Sequence, residues 1–236
     1  MTPLSVLGLA LVAAAEGPTI SADRPGFSYS AAVVPAGHWQ LELGMQAQLA
    51  DPTVFTAPVL SARLGLTESI ELQLGLPSLT IGPDGPDGLS NLALGLKVGD
   101  APADWLAFSV VGLLSAPIGD AEVAEEAWQG MLAGNLELYF LGHGWVSLNT
   151  QLDTFTDSAG DRALAVTPSA ALGWLFADVL NPFAQAYVRF ADGQVTPVVG
   201  GGVAWLVTRR VQLDASADYD LDAEAVTVAG GVAVLW

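Results

Sequence analysis

Glu42, Arg63, Glu71 and Lys97 each stand at a polar position inside a stretch where every second residue is apolar. Their signs run minus, plus, minus, plus along the chain. Carboxylates beside a guanidinium or an ammonium could move protons, bind a charged solute or simply pair. Basic neighbours favour the ionised pair over acid–base work. Residues suited to other chemistry are scarce. There is no Cys, hence no disulfide, thiolate nucleophile or thiolate metal site. The two histidines, His38 and His143, have no G-x-S-x-G motif nearby, and a Ser–His–acid arrangement needs the base within reach of its nucleophile. Neither a phosphate loop nor a dinucleotide fingerprint is present. GPDGPDG lacks the ligand spacing of an EF-hand loop. The expectation is therefore no enzyme, no metal and no cofactor, with a lipid hydrolase as the weakest alternative. Seven Lys and Arg leave a net charge of −18, which excludes nucleic acid as a partner.

The elements that carry these residues alternate with period two. In GHWQLELGMQAQLA, Trp39, Leu41, Leu43, Met45, Ala47 and Leu49 are separated by polar residues or glycine. That pattern builds a strand with one apolar and one wet face. It exceeds the ~9–11 residues with which a tilted strand crosses a bilayer. The chain is 52% hydrophobic with a mean hydropathy of +0.47. No internal run approaches the ~18 apolar residues of a spanning helix. Membrane crossing then requires strands, and these must close to satisfy the backbone. Twelve segments fit: 37–50, 54–66, 69–80, 90–99, 104–116, 128–141, 145–153, 164–176, 182–191, 195–208, 211–220 and 225–236. Ten remains the alternative count, because the fifth, eighth and tenth are weakly patterned. The predicted fold is all-β, a closed antiparallel up-and-down transmembrane barrel; a soluble β-sandwich is the competing architecture.

Connections and aromatics favour the barrel. Short turns fall at Thr67–Ser69, Asp100–Asp104, Gly142–Gly144, Ala177–Asn181 and Thr208–Arg210. They alternate with longer acidic loops, as in outer-membrane barrels, whose short turns are periplasmic. Trp39, Trp174, Trp205 and Trp236 fall at the short-turn end of their segments and on the lipid side by parity, forming an interfacial girdle. Residues 1–15 hold an apolar run ending in an A-x-A pattern, which reads as a signal peptide; a buried helix is the alternative. The domain reading is thus 1–15 leader, 16–36 irregular segment and 37–236 barrel, in a bacterial outer membrane.

Several stretches resemble the outer-membrane family linked to the MetA pathway of phenol degradation. ISADRPGFSYSAAVVPAGHWQLELGM looks like its opening motif, in which a D-R-P element (Asp23, Arg24, Pro25) precedes V-V-P and the first strand. RLGLTESIELQLGLP, GLSNLALGLKV and VQLDASADYDL look like later strands. Gly26 stands where the family typically has Asp, and basic residues are scarcer here. The resemblance implies an outer-membrane barrel that carries aromatic or other small hydrophobic compounds. A terminal aromatic such as Trp236 also looks like the signal read by the barrel-assembly machinery.

If the apolar face meets lipid, the alternate positions line the lumen. Glu42, Arg63, Glu71 and Lys97 then form an ion-pair belt on successive strands ~4.8 Å apart. The belt either fixes register or acts as a selectivity constriction. Gln40, Gln73, Glu137, Gln185, Arg189 and Asp214 also face inward. Small residues on later strands, among them Ala171, Gly173, Gly202, Ala204 and Gly231, either leave space or ease close packing. Residues 16–36 hang in the periplasm or fold into the lumen as a plug, with Glu137 or Asp214 able to receive Arg24. The acidic loops make a mouth that concentrates cations. The function expected is a passive channel for small, hydrophobic or aromatic solutes. The alternative is a structural or surface-interaction barrel with a closed lumen.

Overall fold

The computed structural model describes residues 18–83, 85–157 and 159–236. The expected leader at 1–15 lies outside them. Among the described residues the chain forms fourteen strands and no helix. They are β1 (Trp39–Leu49), β2 (Val54–Gly65), β3 (Ile70–Leu76), β4 (Leu79–Ile81), β5 (Gly88–Leu89), β6 (Leu92–Ala103), β7 (Leu106–Ala116), β8 (Gln129–Phe140), β9 (Gly144–Thr156), β10 (Arg162–Trp174), β11 (Leu180–Ala191), β12 (Gln194–Thr208), β13 (Val211–Asp220) and β14 (Ala225–Leu235).

All belong to one antiparallel sheet in which each long strand pairs with its neighbours in sequence, and β1 pairs with both β2 and β14. The sheet therefore closes as a twelve-stranded up-and-down barrel. β4 and β5 are short outer continuations of β3 and β6. Pro77 has no N–H for the ladder, and a break at Pro77–Ser78 faces one at Ser90–Asn91. Ser78 and Ser90 stitch the gap: the Ser78 N–H donates to Ser90 Oγ at 2.8 Å and the Ser90 N–H to the Ser78 carbonyl at 2.9 Å. At the seam, Trp39 and Trp236 exchange backbone hydrogen bonds of 2.9 and 3.0 Å. The aromatic at position 236 is thus tied into the closing ladder.

One expected turn is corrected. Asp100–Asp104 is not all turn: β6 runs on to Ala103, and the reversal is at Asp104–Trp105. Pairing skips from Asp100↔Phe108 to Ala103↔Leu106, because Pro102 can extend a strand but cannot donate to its ladder. The tightest long-loop connection is Asp192–Gly193, with φ of 49° and 72°. Both residues are left-handed, as a two-residue hairpin between twisted strands requires.

Burial is inverted relative to a soluble sandwich. Outward Met45 and Leu164 are 65% and 66% exposed, while inward Glu71 and Lys97 are 0% exposed. A dry apolar centre is excluded by that distribution. The apolar exterior faces lipid and the polar face encloses the interior, the arrangement of an outer-membrane barrel.

Candidate functional site: a charged belt holding an internal segment

The β-ladder places Gln40 opposite Arg63, Arg63 opposite Gln73, and Glu71 opposite Lys97. The carboxylates Glu42 and Glu71 therefore sit diagonally on either side of Arg63, within reach of a long side chain. Arg63 Nε and Nη2 donate to the two oxygens of Glu71 at 2.7 and 2.9 Å, a bidentate pair. Arg63 Nη1 donates to Glu42 Oε1 at 2.8 Å. Gln40 and Gln73 each donate to the neighbouring carboxylate, at 2.8 and 2.7 Å.

Lys97 departs from the simple alternation. Its Nζ is 3.7 Å from Glu71 but donates to Asp23 Oδ1 at 2.7 Å. Asp23 also lies 3.5 Å from Arg63. Sequence reasoning named Asp23 within the D-R-P element but did not connect it with Lys97. Nothing in strand parity could have done so, because Asp23 is not on a strand. Burial pushes the Asp23 carboxyl up, but the Arg63 and Lys97 charges outweigh that and hold it below its ordinary value of 3.8. Three carboxylates against two bases leave this cluster one charge negative.

Residues 18–36 lie inside the barrel. The segment is irregular, so its backbone groups must find partners elsewhere. Glu42 accepts the N–H groups of Asp23 and Arg24 at 3.1 and 3.2 Å. Glu71 accepts that of Val34 at 2.7 Å, Glu137 that of Ala31 at 2.9 Å, and Gln185 that of Phe27 at 2.9 Å. Gln212 donates to the Arg24 carbonyl, and Gln40 and Arg63 to that of Ser21. Inward side chains thus replace the ladder this segment lacks. Ile20 and Val34 also pack with inward Ala233 and Leu235, a small apolar cluster that sequence reasoning missed.

Arg24 goes to Asp214, with Nη2 donating at 3.1 Å, and not to Glu137. The reason is space. Gly44, Gly231 and Asp214 form one row across β1, β14 and β13. A Cβ on Gly44 would run into the Arg24 guanidinium, and one on Gly231 would meet the Leu43 carbonyl oxygen at 2.5 Å and Arg24 Nε at 2.7 Å. The two glycines make the slot in which the guanidinium lies. Gly44→Ala should therefore displace Arg24 while leaving the closing ladder intact, because every near neighbour of the added Cβ belongs to the Arg24 guanidinium. The expected readout is a raised and noisier single-channel conductance in the folded variant; an unchanged conductance would show the slot to be dispensable.

The structure also places the remaining expected inward residues. Arg189 pairs with Asp153 at 2.7 Å and is partly exposed, towards the long-loop end. Gln185 Nε2 donates to Asp218 at 2.7 Å. Pro25 lines a cavity of about 280 Å³ between the internal segment and the wall. The small-residue wall is only partly open. The Trp145 ring covers Gly173 and the Phe183 ring covers Gly202, while Ala171 and Ala204 still border the cavity. Inward Gln46 and Gln48, beyond the segment, are exposed. The internal segment therefore occupies the short-turn half, and Gln46 and Gln48 in the long-loop half reach solvent.

Trp39, Trp205 and Trp236 are exposed on the outer face, and Trp174 packs against Phe140 and His143 there. His38 Nδ1 lies 3.1 Å from the Ala36 carbonyl, and His143 lies 3.8 Å from Asp178. Neither has a serine partner among the described residues. Also among the described residues, no three His, Asp or Glu side chains are grouped to hold a metal ion.

Residues 22–236 match the profile of a family described as "Putative MetA-pathway of phenol degradation". Among solved structures, an outer membrane channel from Pseudomonas putida F1 shares 13% identity at a TM-score of 0.68, covering 90% of this chain and 99% of that one. The KdgM porin shares 7% identity at 0.58, covering 82% and 98%. The NanC porin shares 8% at 0.56, covering 81% and 98%. At these identities the likeness establishes the fold. No curated protein matches the sequence.

Proposed function

This chain belongs to the MetA-pathway family, and we propose that it is a passive outer-membrane channel for small solutes, hydrophobic or aromatic ones among them. The observation that carries the reading is the lumen. Its charged and amide side chains face inward, Gln46 and Gln48 in its long-loop half reach solvent, and its short-turn half is occupied by a non-covalently held, irregular segment. A barrel with a purely structural role has no need of an interior closed this way; packed side chains fill smaller barrels without it. In this reading residues 1–15 are the leader, 16–36 the plug and 37–236 the barrel wall. The short-turn end is periplasmic, and β14 with Trp236 is the segment the assembly machinery reads.

The plug itself supports a second reading, a structural or surface-interaction barrel with a permanently closed lumen. Planar-bilayer recording separates them: the purified chain conducts, at least intermittently, in the first and never in the second. The family's link to phenol degradation and the aromatic rings lining the cavity support the solute class. An assay of liposome swelling with phenol against a sugar of similar size tests it; equal rates would remove the preference.

The mouth carries exposed Asp51, Glu126, Asp161, Asp222 and Glu224. Changing these five to Asn or Gln should move the reversal potential in a potassium chloride gradient towards zero. The shift should be clearest near 0.1 M salt, where the Debye length is ~10 Å, and fade towards 1 M. An unchanged potential at low salt would place selectivity deeper in the lumen.

A further inference from the structure

The cavity beside the plug has a charge that nothing offsets. Three charged side chains of plug and wall border it: Asp23, Arg24 and Glu137. Asp23 is engaged from behind by Lys97 and Arg63, and Arg24 by Asp214. Glu137 is only 9% exposed. It accepts hydrogen bonds from the Ala31 N–H, Asn135 Nδ2 and the Tyr139 hydroxyl. Among the described residues it has no Lys or Arg within ion-pair distance. A buried carboxylate held by neutral donors alone is costly, and a positive charge nearby is what would offset it.

The rest of the wall suits such a charge. Tyr29, Trp145 and Phe183 present rings to the same space, and Tyr139, 41% exposed, stands at its short-turn edge. Aromatic faces attract ammonium groups, more strongly where water is excluded. At about 280 Å³ the cavity has room for roughly nine water volumes. It fits a small organic molecule and little more.

We infer that this cavity binds small organic cations, primary or quaternary ammonium compounds carrying an apolar or aromatic body, with Glu137 as the counter-ion and the Trp145 and Tyr29 rings as the walls. The inference names a substrate class for the channel and rests on that reading only for passage through the barrel once bound; occupancy itself can be measured in a barrel that never conducts. The acidic residues of the mouth carry the same sign of charge as the Glu137 carboxylate, so both favour cations over anions.

The test uses the full chain in neutral detergent and titrates it calorimetrically with benzylammonium, benzyl alcohol and benzoate. The three share one ring and differ in charge. Benzylammonium should bind at least about 10-fold more tightly than benzyl alcohol, and benzoate should not bind detectably. Glu137→Gln should bring benzylammonium down to the level of the alcohol. Equal affinity for all three in the unaltered protein would overturn the inference without any variant. So would unchanged benzylammonium affinity in a folded Glu137→Gln barrel, as would no binding at all. Bilayer conductance is recorded on the same preparations. A silent barrel that binds benzylammonium would end the channel reading and keep the site. A conducting barrel indifferent to it would do the reverse.

Discussion

A barrel begun at Gly37, without residues 18–36, should give steady conductance several-fold above that of the full chain. The wall does not depend on the internal segment for closure, because β1 pairs with β14 over Gln40–Leu49 and with β2 over Trp39–Gln48. What the deletion removes is the material filling the short-turn half. The belt that remains would hold Glu42 and Glu71 against Arg63 and Lys97, two charges of each sign, since Asp23 leaves with the segment. It should therefore stay folded back on the wall by its own Arg63 contacts to Glu71 and Glu42. Lys97, left with Glu71 at 3.7 Å, is the side chain expected to move. Folding is checked by the shift in gel mobility between heated and unheated samples. A correctly folded barrel whose conductance matches that of the full chain would mean that the constriction is elsewhere and residues 18–36 are no plug.

Arg63→Met should be the most destabilising single change in the lumen, by about 3–5 kcal/mol, the range for breaking a buried pair from one side. Arg63 is 1% exposed and holds three carboxylates, Glu42, Glu71 and Asp23. Without it, Lys97 alone faces them. Urea unfolding of the barrel in lipid vesicles measures the loss. Replacing Arg63 and Glu71 together by Met should recover part of it, since two negative charges would then face Lys97 instead of three. If the double variant were no more stable than Arg63→Met, repulsion among the stranded carboxylates would not be the cause. Lost plug contacts from Arg63 to the Ser21 and Ala32 carbonyls would then be the better account.

Much of the wall was legible because strand parity is a local property. Once Leu41, Leu43 and Met45 are assigned to lipid, Gln40 and Glu42 must point the other way. The same parity put Arg63, Glu71 and Lys97 on the inner face, and ladder spacing brought them within reach of each other. The strand count followed from turn spacing, down to segments that match β8, β12 and β13 within a few residues. Pattern failed where backbone chemistry overrides it. Pro77 splits one expected strand into β3 and β4, and Pro102 lets β6 run through an expected turn.

The internal segment was the larger gap. From sequence, Arg24 had two acceptable partners on opposite sides of the lumen, Glu137 and Asp214. The choice turned on Gly44 and Gly231, which are adjacent only once β1 and β14 close the barrel. Asp23 likewise meets Lys97 across 74 residues, and no periodicity relates them. Cavity shape was out of reach for a similar reason. The wall of small residues is visible in the chain, but whether Trp145 and Phe183 lie over Gly173 and Gly202 depends on rotamers set by neighbouring strands.

By itself, the sequence determined which face of each strand is oily, favoured twelve strands over ten, and placed the wall's ionisable groups on the inner face, because alternation and turn spacing act over a few residues. Tertiary structure alone decided that residues 18–36 thread that interior, that Arg24 sits in a glycine slot beside Asp214, and that Glu137 faces the cavity with no Lys or Arg within ion-pair distance among the described residues. Those outcomes depend on groups brought together by ring closure, and contact between residues distant in the chain leaves no local trace.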